Sequence, residues 1–201
     1  MKKNIPTIIL ITSVILTSCV RSLYPITENE NDLIFKKELL GHWRDEDSAH
    51  YIVDTAGGEN GRIYRVAIID LKRGPEWVFS DTSYFIAFLV NIKGSFFLDC
   101  SADMAKFSNK NIGESAAHSI LPTHFIIRLI SIEQNRIELA LMDEEKFLAF
   151  LKQKKLSIHH ELIDKDNLLL TEKPMKLQQK LIEMEKFPSI FNSETLTRSK
   201  N

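Results

Sequence analysis

Asp99, His118, Ser119 and His124 supply the side-chain types of a hydrolytic centre: a hydroxyl nucleophile, a base to take its proton, and a carboxylate to orient the base. Ser119 is not framed by the G-x-S-x-G turn that lifts a nucleophile above a sheet, so the sequence reads as non-enzymatic. A second set is His42, His50, Asp45 and Asp47, nitrogen and oxygen donors that an acidic turn between two short strands would bring close. Asp45-Glu46-Asp47 lacks the glycine and the distant glutamate of a calcium loop. A solvated turn explains it, and no metal is expected. His159 and His160 are neighbours, so on a strand they face opposite sides and cannot chelate one ion together. "GGENG", Gly57 to Gly61, has neither the lysine nor the hydroxyl residue of a phosphate loop and leads into a strand. No cofactor is expected.

The remaining chemistry belongs to two cysteines. Cys100 ends the apolar stretch "SFFLDC" and reads as a small core residue. Cys19 stands elsewhere: Met1-Lys2-Lys3 makes a positive start, Ile8 to Leu16 is mostly apolar and uncharged, and Thr17 and Ser18 are small. This is the pattern of a secretory signal peptide. A spanning helix would need roughly 20 apolar residues, and this run ends at Arg21 with Pro6 near its beginning. "LTSC", Leu16 to Cys19, resembles a bacterial lipobox. The resemblance implies a diacylglyceryl thioether on Cys19, cleavage between Ser18 and Cys19, and acylation, for example with palmitate, of the freed amine. Several acyl chains would hold the protein at a membrane, since each buried methylene contributes about 0.8 kcal/mol. Val20 rather than aspartate follows the cysteine, which implies the periplasmic face of an outer membrane.

Over 201 residues, 26 basic and 27 acidic side chains nearly balance. Loss of residues 1–18 removes only Lys2 and Lys3, so no electrostatic footprint for nucleic acid remains. The chain divides into a signal peptide (1–18), a lipidated tether (19–32), one β-rich domain (33–192) and a loose C-terminal tail (193–201).

Within the domain, "LIFKKELL" predicts a short helix capped by Asp32 and ended by Gly41. "HWRDE", "AHYIVDT" and "RIYRVAIIDL" read as strands, "SYFIAFLVNI" and "SFFLDC" as a hairpin around Lys93-Gly94, and "THFIIRLISI" and "RIELALM" as another pair. Residues 101–121 show no steady period. Asp143 caps a predicted helix, "LSIHHELI" and "NLLLT" make a further hairpin, and Pro174 opens a last helix. About eight short strands with two late helices predict a mainly β, α+β fold: a bent antiparallel sheet or a small barrel.

Gly41-x-Trp43 resembles the opening motif of lipocalins, whose tryptophan packs at the closed end of a barrel. The lipocalin T-D-Y motif is absent, and the sequence assigns no arginine to cover Trp43, Arg128 being a candidate. Nearly the whole mature chain resembles a group of uncharacterised bacterial lipoproteins, through "CVRSLYPI", "DLIFKKELLGHWRDED", "FFLDC", "LPTHFIIRL" and "LLLTEKPMKLQQKLIEMEKF". That membership implies an envelope location and supplies no activity.

Two functions follow. The first is an envelope lipoprotein whose domain binds a protein partner or supports an envelope assembly. The alternative is a lipocalin-like carrier of a small hydrophobic ligand, with a cavity lined by Phe85, Phe88, Phe97 and Ile127, and Asp99 and His124 as its polar groups. A hollow barrel would favour the carrier, and a filled one with an exposed apolar patch would favour the partner.

Overall fold

The computed structural model describes residues 20–46, 49–57, 61–73, 78–107, 121–164 and 167–199. Eight antiparallel strands close into a barrel: β3 (Gly41–Arg44), β4 (His50–Thr55), β5 (Ile63–Arg73), β6 (Val78–Ile92), β7 (Ser95–Ala102), β8 (His124–Ile132), β9 (Arg136–Met142) and β12 (Phe191–Arg198). Each pairs with the next, and β12 joins β9 back to β3. The fold is mainly β with helices, a small lipocalin-like barrel.

Side chains alternate along each strand. Val66, Ala87, Leu98, Ile127 and Leu141 belong with Trp43 and Tyr64 to the interior cluster. The intervening positions of β6 to β9, including Val90, Phe97, Ile126 and Met142, form a second cluster outside the barrel wall. That cluster is completed by two helices, α2 (Glu144–Lys152) and α3 (Pro174–Met184), which bury Phe147, Leu177, Leu181 and Met184 against it. The central strands are therefore covered on both faces, which is why "SYFIAFLVNI" and "SFFLDC" carry apolar residues without clean alternation. A single helical turn, α1 (Met104–Phe107), follows β7.

β8 has a divided edge. Its Ile127–Ile132 stretch pairs with β9, whereas His124 and Phe125 pair with β1 (Arg21–Ser22). Beyond β1 lie β11 (Asn167–Leu170), parallel to it, and then β10 (His160–Asp164). Three short strands thus extend the sheet sideways from the barrel.

Three expectations are corrected. Residues 20–32 are not a loose tether: Val20, Ser22 and Ile26 are buried, and β1 is held between two strands. Residues 33–40 are not a helix, because Leu33–Ile34 (β2) pairs with β6 and only Lys37–Leu39 coils, as a 3-10 turn. The stretch after Asn192 is not a loose tail: its residues 193–198 lie in β12, which gives β9 and β3 the backbone partner that each would otherwise lack.

Candidate functional site: the barrel interior

Trp43 governs one end of the barrel. It is fully buried and donates its indole N–H to the Leu39 carbonyl at 2.9 Å. Leu39, from the 3-10 turn, plugs the opening beside it. The Tyr64 hydroxyl accepts the Lys36 N–H at 2.6 Å and donates to the Lys36 carbonyl at 3.2 Å, which ties the plug to β5. Burial pushes the Tyr64 pKa above its ordinary value; the Lys36 hydrogen bond opposes this, and the Glu38 charge adds to it.

The Arg198 guanidinium lies 4.2 Å from the Trp43 ring centre and donates to three carbonyls: Gln134 at 2.6 Å, and Leu40 and Glu38 at 3.0 Å. Arg198, not Arg128, is therefore the arginine over Trp43. Arg128 sits outside the wall opposite Phe97 and forms an ion pair with Glu185 at 2.8 Å.

Above this floor is an apolar cavity of about 230 Å³. Phe85 and Phe125 meet edge to face at 6.1 Å in its wall, and Ala87, Leu98 and Ile127 continue the lining. The polar lining groups are largely engaged elsewhere. Tyr51 donates its hydroxyl to the Asp45 carboxylate at 2.8 Å, and Tyr64 and Trp43 bond to the plug segment. Glu194 is the one charged lining residue among those described. Cys100 also lines the cavity; burial, with the neighbouring Asp99 charge, raises its thiol pKa. Such a largely apolar lining offers dispersion contacts to a molecule held within it.

The expected cavity set divides. Phe85 and Ile127 line the hollow. Phe97 points the other way, into the cluster with the helices, and Phe88 shares a sheet face with Asp99, its cross-strand partner. Strand alternation explains the split, since residues an odd number apart on one strand stand on opposite faces. Asp99 and His124 do meet, with His124 Nδ1 2.6 Å from Asp99 Oδ1, but outside the barrel. There the other Asp99 oxygen accepts the Ile26 N–H at 2.7 Å, while Gln178 on α3 donates to the Ile26 carbonyl at 3.0 Å. The pair clasps the N-terminal segment. His118, Ser119, Asp47 and Cys19 lie outside the described residues. Asp45 accepts hydrogen bonds from Ala49 N–H and the Tyr51 hydroxyl, and among the described residues no cluster of three His, Cys, Asp or Glu could hold a metal ion.

Sequence reasoning missed Val20, Ile126 and Met142, which carry the cavity lining to the place where β8 leaves β9 for β1. Their apolar character was visible, but the divided edge that brings them together has no local signature. No family model, no curated protein and no solved structure matches this chain.

Proposed function

We propose that the chain is an envelope lipoprotein, anchored through Cys19, whose barrel binds a small apolar molecule. The observation that carries this reading is the 230 Å³ apolar hollow above the Trp43–Arg198 floor. Its size lies between a cavity of about 150 Å³ that accepts benzene and the roughly 300–1,000 Å³ of drug-sized sites. The fitting ligand class is therefore a single-ring aromatic or a short alkyl chain. A filled barrel would have supported the partner-binding or envelope-assembly reading; the hollow supports a carrier. The first residue after Cys19 is Val20, itself part of the lining, so an acylated cysteine would keep the cavity close to a source of apolar molecules. No helix among the described residues is long and apolar enough to cross a membrane.

Native mass spectrometry of the protein purified from membranes tests the proposal, with an apolar small molecule retained on the intact chain as the expected result. Titration with alkylbenzenes, read through Trp43 emission in a Trp77→Phe background, gives a second measure. Ala87→Phe should fill the hollow and abolish the response while leaving the far-UV circular dichroism unchanged. Absence of both a retained mass and a saturable response in the folded parent protein would overturn the carrier.

A further inference from the structure

β10 is an edge strand with two adjacent large apolar residues turned to solvent: Leu162 and Ile163 are each 55% exposed. Ile163 falls at a register shift between Leu162 and Asp164, where the ladder with β11 is interrupted. An exposed apolar edge invites association unless something covers it. The register indicates what is nearby. Arg21 pairs with Leu169, and Leu169 pairs with Glu161; the next row joins Leu168 to Leu162, and Val20, one residue before Arg21, enters the sheet at that level. Two strand spacings, about 10 Å, separate Val20 from Leu162 along the row. Cys19 is joined to Val20 by one peptide unit, about 3.8 Å between α-carbons.

We infer that the β10 edge, through Leu162 and Ile163, is a membrane-docking surface that rests on the bilayer holding the Cys19 acyl chains. The inference rests on the proposed lipidation. Because residues from Val20 onward are packed into the fold, an anchor at Cys19 has no slack with which to hold the domain away from the lipid. The row above carries Arg21, which donates to Asn167 at 3.1 Å, and exposed Glu161. This mixed-charge rim suits the headgroup layer, with the two apolar side chains at the acyl boundary. The docking therefore needs no anionic lipid.

Leu162→Trp in the acylated full-length protein, reconstituted into phosphatidylcholine vesicles with brominated acyl chains, tests the surface. The readout is the emission added over the parent protein. It should be mostly lost on brominated vesicles and retained on unbrominated ones, whereas Asp54→Trp, on β4 across the barrel from β8, should lose none. Two results on acylated, vesicle-bound protein overturn the docking surface and leave the anchor standing: unquenched added emission in Leu162→Trp, or equal quenching in Asp54→Trp. Protein without acyl chains at Cys19 overturns both. A dimer of the acyl-free Cys19→Ser protein that Leu162→Lys dissolves would assign the edge to a second copy and likewise overturn the membrane surface.

Discussion

Arg198 covers Trp43 from the far end of the chain, and Gly41 leaves it room to do so. A Cβ on Gly41 would collide with Arg198 Nη1, and Gly41 already adopts a φ of +122°, where side chains are rarely tolerated. The glycine and tryptophan of "GHW" thus serve one contact. The tryptophan presents its face to the guanidinium, and the glycine opens the path by which that guanidinium reaches the Leu40 carbonyl. Arg198→Ala removes the ring contact and three charge-assisted hydrogen bonds, and should cost about 1–3 kcal/mol. Gly41→Ala should cost a similar amount, about 1–3 kcal/mol, because strain and displacement of the arginine coincide. Urea unfolding of both single variants and the double variant checks this. Markedly less than additive losses are expected, since both disturb the same contact.

A second prediction concerns the clasp on the N-terminal segment. Asp99 is 2% exposed and accepts from both Ile26 N–H and His124. Asp99→Ala would leave the buried Ile26 N–H without its acceptor, at about 1–3 kcal/mol. Asp99→Asn, which keeps one acceptor oxygen, should lose less. Limited proteolysis should show cleavage before residue 33 appearing first in the alanine variant. If the variants resist protease equally and unfold with the parent protein, the clasp contributes nothing.

Cys100 provides a third test. The thiolate is the reactive form, and burial beside Asp99 raises the pKa of this thiol. In a Cys19→Ser protein, where Cys100 is the sole remaining cysteine, thiol reagents at neutral pH should leave the folded chain unmodified. They should label it stoichiometrically once urea has unfolded it. Rapid labelling under native conditions would mean that the cavity wall opens to water far more readily than its packing implies.

The strands and helices legible in the sequence were those whose own residues bear the cause of their structure. "SYFIAFLVNI" has the β-branched and aromatic content of a strand, and Asp143 and Pro174 announce the helices that follow them. β12 was illegible because "FNSETLTR" buries little beyond Leu196; the free edges of β3 and β9 specify it, and neither is nearby in sequence. β1 is two residues long and has the same difficulty. At the site, Phe85 and Ile127 were found through apolar runs, whereas Phe88 and Phe97 failed because such runs give no sign of which face turns inward. Arg198 could not be chosen over Arg128 without the register of the last strand. Whether the barrel was hollow depended on how its interior side chains pack, which composition does not record.

The junction of β9 and α2 yields a pH prediction. Asp143 caps α2: its carboxylate accepts the Lys146 N–H at 3.0 Å, lies 2.9 Å from Lys146 Nζ, and accepts from the Asn192 side chain at 3.1 Å. Partial burial pushes its pKa up, but the Lys146 and Asn192 hydrogen bonds and the Lys146 charge outweigh that and hold it below the ordinary 3.8. A folded pKa below the unfolded one means that the carboxylate stabilises the fold above pH 3.8 and that this contribution is lost as pH falls through the folded value. Asp143→Ala should cost about 1 kcal/mol at neutral pH, as loss of a helix cap does. The deficit relative to the parent protein should shrink as the solution is acidified below pH 3.8, because protonation weakens the same cap in the parent. Thermal unfolding of both proteins across that range would display the convergence. A deficit independent of pH would assign the loss to the missing side-chain packing and not to the charge.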